Sequence, residues 1–209
     1  MRAPLASWPR TVIAVMCVAA TLGFGCHNDD NSSLSASFME SGTATAPLLV
    51  KLVQKSVNNS QVVVQAVIYG PDTTLDMYTF AFDVKIADPT IVGFVAGSAV
   101  EGGALQAFAG QTIETIAELG TLLAGGVDNS LVVVGVSKLG GGVGNGIAGT
   151  SAVVVALSFQ VLKAGTTTLT LTGSPTPQVL DSGGTPIGTI TFDAASASMT
   201  GVSTGGGGY

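Results

Sequence analysis

From residue 47 onward, apolar side chains recur at every second position, the period of a strand that buries one face. Segments 47–57 (PLLVKLVQKSV), 61–69 (QVVVQAVIY), 77–86 (MYTFAFDVKI), 91–96, 121–126, 131–138 (LVVVGVSK), 151–162 (SAVVVALSFQVL), 166–172 (TTTLTLT) and 189–192 carry this pattern, most of them rich in β-branched or aromatic residues. Asn-Asn, Gly-Pro-Asp, Asp-Asn-Ser and glycine clusters stand between them, which is turn chemistry. About nine short strands with almost no helical pattern predict an all-β fold, an antiparallel β-sandwich of jelly-roll topology. Only residues 101–119 (EGGALQAFAGQTIETIAEL) offer a short helix, and their glycines weaken it.

In 77–86 strict alternation predicts Tyr78, Phe80, Phe82, Val84 and Ile86 on the core side, with Thr79, Ala81, Asp83 and Lys85 facing water or a partner. Asp88-Pro89 ends that strand, since proline lacks the ladder donor and the aspartate caps the turn. Asp181-Ser182-Gly183-Gly184 reads as a surface turn. Residues 139–149 read as a mobile glycine loop. Within it, Gly144, Gly146 and Gly149 fit a G-x-G-x-x-G spacing. The next residues, Thr150-Ser151-Ala152-Val153, read as a strand, with no helix N-terminus to hold a pyrophosphate.

The N-terminus has its own signal. Arg2 and Arg10 precede a charge-free apolar run, residues 11–25, shorter than the ~20 residues a membrane-spanning helix needs. Residues 1–25 are therefore expected to be an export signal. Its end, Leu22-Gly23-Phe24-Gly25-Cys26, resembles the lipobox of bacterial lipoproteins, with Gly23 standing where that family prefers an aliphatic residue. The resemblance implies diacylglyceryl attachment at Cys26 and, with no aspartate after the cysteine, a lipid-anchored protein of the cell envelope, at the outer membrane or cell surface. An ordinary export signal with an incidental cysteine is the alternative. Residues 26–46, polar and small, are expected to be a flexible tether, 47–203 the folded domain and 204–209 a glycine-rich tail.

Beyond residue 25 the chain holds five lysines, no arginine and thirteen acidic residues, so nucleic acid and anionic lipid are poor partners. The other cysteine, Cys17, lies in the export segment, which leaves Cys26 without a disulfide partner. The single histidine, His27, sits in the tether, where no Ser-His or Cys-His machinery can be held rigidly. Most acids fall at turns or outward positions, so no catalytic residue and no cofactor is assigned. Asp72 and Asp76 are spaced closely enough to share a loop calcium, against which ordinary turn chemistry weighs, and no metal site is assigned.

Five pieces in order then carry a family resemblance: Lys85-Ile86-Ala87-Asp88-Pro89-Thr90-Ile91-Val92, then Gly97-Ser98, then the valine-rich 131–137. After them come 149–161 with 164–171, and finally Asp181 to Ile187. Over roughly residues 47–203 this resembles the cohesin domain, with Ala87 one residue longer than that family's pattern and a bulge expected there. The resemblance implies a non-catalytic module that docks a dockerin-like protein partner on one sheet face, in polysaccharide binding or degradation. Here that face would include Thr79, Ala81, Asp83, Lys85, Val133 and Ser137. Where many cohesins carry an Asn-x-Asp pair, this chain offers Met77 and Thr79, or Thr79 and Ala81, so a changed partner is expected. Direct carbohydrate binding and a purely structural envelope role are the alternatives. The first lacks an aromatic platform, because Trp8 is lost with the signal and only Tyr69 and Tyr209 stay free of the core.

Overall fold

A computed structural model of the chain describes residues 33–42, 46–121, 126–173 and 177–204. The expected export segment, Cys26, His27 and most of the expected tail lie outside them. The strands are β1 (Ser33–Met39), β2 (Leu49–Asn58), β3 (Gln61–Tyr69), β4 (Asp72–Met77), β5 (Thr79–Ile86), β6 (Val92–Phe94), β7 (Val100–Glu101) and β8 (Thr112–Thr121). They continue with β9 (Val127–Leu139), β10 (Asn145–Ile147), β11 (Ser151–Val161), β12 (Gly165–Thr172), β13 (Gln178–Leu180), β14 (Thr191–Phe192) and β15 (Ala197–Thr204). No helix occurs among the described residues.

One sheet runs β1-β15-β12-β5-β9-β8, with β13 continuing beside β5, and the other runs β14-β2-β3-β11-β6, with β7 on β11. β4 and β10 form a separate ribbon. The first sheet contributes Phe80, Phe82, Val84 and Ile86 from β5 and Val132, Val134 and Val136 from β9 to one core. The second answers with Val62, Val64, Ala66 and Ile68 from β3 and Leu157, Phe159 and Val161 from β11. The alternation of the sequence is thus the alternation of burial, and each large apolar side chain so buried is worth roughly 1.5–3 kcal/mol. Phe82 meets Phe192 of the second sheet at 5.8 Å, an aromatic pair that ties the sheets together, while Phe94 meets the edge of its ladder neighbour Phe159 at 5.9 Å within the second sheet.

The structure departs from the sequence-based expectations in several places. Fifteen strand segments stand where about nine were expected. β14 joins β2 in parallel, so the second sheet is not wholly antiparallel. β1 falls inside the expected tether. SLSASFM is itself alternating, and Leu34, Ala36 and Phe38 pack on the core while seven residues pair with β15. β15 escaped notice because its inward positions, Ala197, Met199 and Gly201, are mostly small. Residues 112–119 of the candidate helix are strand β8, whose Ile113, Thr115, Ala117 and Leu119 alternate with Thr112, Glu114, Ile116 and Glu118. Tertiary pairing with β9 decides the matter over helix propensity. Of the expected strand 121–126, Thr121 ends β8 and 122–125 lie outside the described residues.

Tyr78 is not in the core. It sits at the break between β4 and β5, half-buried, and Met77 is buried instead. No bulge occurs at Ala87, since β5 pairs in unbroken register with β9 and β12; the irregularities fall in β2, β8, β10 and β11. The glycine segment is packed rather than free along its whole length, because β10 lies against β4. A Cβ at Gly144 or Gly146 would collide with the backbone at Asp76 or at Asp72 and Thr73, so glycine here permits close approach.

Candidate functional site

The outward side of the first sheet is built by register. Thr79 faces Ser137, Ala81 faces Gly135, Asp83 faces Val133 and Lys85 faces Leu131 across β5 and β9. β8 extends three of these rows, Glu114 against Ser137, Ile116 against Gly135 and Glu118 against Val133. On the other flank Gln178 of β13 continues the Ala81 row and Thr172 of β12 the Asp83 row. All six residues expected on this face, Thr79, Ala81, Asp83, Lys85, Val133 and Ser137, lie on it.

The centre is low, because Ala81 and Gly135 carry almost no side chain. Beside it Ile116 is 48% exposed and Val133 45% exposed, two branched apolar side chains in water. Thr79 and Ser137 spend their hydroxyls on each other at 2.7 Å. Charge on the patch is mainly acidic: Asp83, Glu114 and Glu118 against Lys85. Burial alone pushes the Asp83 carboxyl above the usual carboxylate range, since no hydrogen bond supports its charge. Met77 is buried, so of the two alignments for the missing Asn-x-Asp pair only Thr79 and Ala81 are outward. Reading 101–119 as a helix hid Ile116, Glu114 and Glu118, although the period-two run of Ile113, Thr115, Ala117 and Leu119 was the signal for β8.

Most of the described acids outside this face are engaged in local structure. Asp72, Asp88 and Asp128 each accept hydrogen bonds from the backbone N–H, at 2.9 Å, and the hydroxyl, at 2.6–2.7 Å, of the Thr or Ser two residues on. These bonds lower all three carboxyls below their ordinary value. Asp181 likewise accepts from the N–H groups of Gly183 and Thr185, as its turn requires. Asp76 accepts from the hydroxyl and N–H of Ser182 and from the N–H of Gly144, and the Ser182 hydroxyl does most to lower it. Asp72 and Asp76 therefore have separate protein donors.

Two lysines are buried. Lys51 of β2 donates to the Gly42 carbonyl and pairs with Glu40 at 3.2 Å, binding the segment after β1 to the second sheet. Lys138 of β9 is 1% exposed; its Nζ donates to the Val143 carbonyl at 3.2 Å and lies 4.3 Å from the centroid of the Phe108 ring. Desolvation lowers its pKa, partly offset by the charge of Asp76. Gln111 donates to the same Val143 carbonyl and to that of Gly141, while Tyr78 accepts from the Gly141 N–H. Together they close one end of the sandwich.

No family model and no curated protein matches the chain. Among solved structures it is similar to the type II cohesin dyad from the adaptor ScaA scaffoldin of Acetivibrio cellulolyticus, at 14% identity and a TM-score of 0.47, covering 71% of this chain and 47% of that one. It is similar to the sixth cohesin of that organism's scaffoldin B, solved with a Cel5 dockerin mutant, at 18% identity and a TM-score of 0.43 over 72% of this chain and 94% of that one. A third is the cohesin module from a family 33 glycoside hydrolase of Clostridium perfringens, at 13% identity and a TM-score of 0.39 over 82% of this chain and 96% of that one. Each of these structures contains a cohesin module.

Proposed function

We propose that this chain is a non-catalytic binding module, held at the cell envelope through Cys26, that docks a dockerin-like protein partner on the outer face of β5, β9 and β8 in polysaccharide binding or degradation. The observation that carries the reading is the juxtaposition of Ala81 and Gly135 at the centre of a rigid sheet, flanked by half-exposed Ile116 and Val133. Small residues let a partner's backbone approach, and flanking branched side chains supply the apolar contact that interface centres require. Thr79 and Ala81 in place of an Asn-x-Asp pair support a partner matched by shape and apolar contact rather than by that polar anchor.

The test is calorimetric titration of the chain with dockerin-like modules encoded in the same genome. Ala81→Arg places a long charged side chain in the centre, so binding is expected to weaken by at least about a hundredfold, the loss typical of a disrupted interface centre, with circular dichroism unchanged. Binding of the variant at wild-type affinity overturns the face. Binding of soluble glycans, with no dockerin-like module bound, overturns the protein-docking reading. The anchor has its own measurement: radiolabelled palmitate is expected in the wild-type protein and not in Cys26→Ser, and an unlabelled wild type overturns it.

A further inference from the structure

We propose that the free edge of β8 is a strand-addition site for an extended, basic segment of a partner protein. Sheet edges are usually blunted, because unpaired N–H and C=O groups invite another strand. Here the edge strands β14 and β6 are only two and three residues long, although β14 covers β2 only at Leu49 and Val50. β1, at the far edge of the first sheet, donates its Ala36 N–H to the Asn59 carbonyl of the second. β8 is different. Its ten residues pair with β9 on one side, and among the described residues no backbone partner occupies the other.

Beside that edge runs a groove of about 590 Å³, walled by Ala96, Gly97 and Ala99 opposite Ile116 and Glu118. Three small residues on the far wall leave room for a strand, which lies ~4.8 Å from its neighbour, and for its side chains. The bulge between Leu119 and Gly120 ends the regular ladder, so residues 112–119 are the usable length.

Charge selects the occupant. Among the described residues Glu118 is the only charged side chain lining the groove, and Glu114 stands on the same face of β8, beyond Ile116. A second copy pairing antiparallel about Ile116 would set Glu114 against Glu118 twice, and like charges directly opposite destabilise a ladder. A foreign strand with Lys or Arg opposite both glutamates and a branched apolar residue opposite Ile116 reverses both terms. Main-chain bonds then supply affinity and alternate side chains specificity. Ile116 belongs to both sites, but Ala81 lies two strands in from the edge, so Ala81→Arg tests the docking face and N-methylation tests the edge.

The experiment titrates the isotope-labelled full chain with the capped peptide Thr-Lys-Thr-Val-Thr-Lys-Thr and follows amide shifts and hydrogen exchange. Shifts and protection are expected at residues 112–119. N-methylating alternate peptide amides, or replacing both lysines by glutamate, is expected to weaken binding by about tenfold or more, and added salt to weaken it further. Glu114→Lys with Glu118→Lys, checked for folding by circular dichroism, is expected to prefer the glutamate peptide, whereas Ala81→Arg leaves peptide binding unchanged. Indifference to N-methylation, shifts centred on β5, or no binding overturns the proposal. So does a concentration-dependent dimer protected at β8, which would make a second copy the occupant.

Discussion

The outer side of the first sheet has two halves of opposite chemistry on one continuous backbone. Across β1, β15 and β12 the outward positions are mostly hydroxyls, with Met39 and Val202 as exposed apolar exceptions, and three pairs of them are matched: Ser33 with Thr204 at 2.5 Å, Thr166 with Thr200 at 2.9 Å and Thr170 with Ser196, just off β15, at 2.6 Å. Across β5, β9 and β8 hydroxyl pairing stops after Thr79 and Ser137, and the surface becomes small, branched apolar and acidic. A face whose polar groups already satisfy one another gains little from a partner, whereas exposed Ile116 and Val133 gain by being covered. The inner sides of the halves are alike, being Leu169 and Met199 beneath one and Phe82 and Val134 beneath the other. The difference therefore lies in the outward surface and not in the core beneath it.

The largest expected effects test that equality of the inner sides. Phe82→Ala beneath the docking half is expected to cost roughly 3–5 kcal/mol and Leu169→Ala beneath the hydroxyl half roughly 2–5 kcal/mol, as large-to-small changes in one packed core. Asp83→Ala, adjacent to Phe82 but outward, is expected to stay within about 0.5 kcal/mol. Urea unfolding monitored by circular dichroism measures all three, and a Phe82→Ala cost as small as that of Asp83→Ala would mean that β5 faces the other way.

A smaller effect concerns the buried end of β9. Lys138→Met keeps the volume and removes a buried charge, and the Val143 carbonyl retains Gln111 as its donor. Replacing a buried charge by a hydrophobe of similar size is often neutral or stabilising, so a gain of up to about 1 kcal/mol is expected, a rise of roughly 2–4 °C in Tm. A loss of several kcal/mol would instead make the contact with the Phe108 ring indispensable.

The parts of the fold legible in the sequence are those whose interactions are local in pattern. The facing of β5 and β9 could be read because Phe80, Phe82, Val132 and Val134 are large, and their partners' alternation repeats it. Parity gave the outward direction of the six residues, and the cohesin resemblance the choice of that face. β1 and β15 were missed because serine, glycine and alanine fill positions whose strand character comes from pairing with residues up to 171 positions away, and β8 because residues 101–119 also fit a short helix. The buried lysines were equally invisible, since Lys138 occupies an inward position and Lys51 an outward one covered by the segment after β1, and a polarity pattern assigns both to water. Only the approach of Glu40 to one and Phe108 to the other explains them.

The smallest expected effect separates the halves by pH. Asp83, on the docking half, has a carboxyl raised by burial, so its ionised form is disfavoured in the folded state. Relative to Asp83→Asn, the wild type is therefore less stable at neutral pH. The gap closes as pH falls through the raised folded value and is gone below the unfolded value of ~3.9. Asp76, whose carboxyl is lowered chiefly by the Ser182 hydroxyl, runs the other way. Its ionised form stabilises the fold above the unfolded pKa, and that contribution is lost as pH falls through the lower folded value. Melting temperatures of the wild type, Asp83→Asn and Asp76→Asn between pH 2 and 7 are expected to place the wild type between the two variants at neutral pH, with all three converging in acid. If Asp83→Asn melts below the wild type at neutral pH, the Asp83 carboxylate is supported by a partner on the sheet, and the docking half is less bare of polar pairing than its hydroxyl-lined neighbour implies.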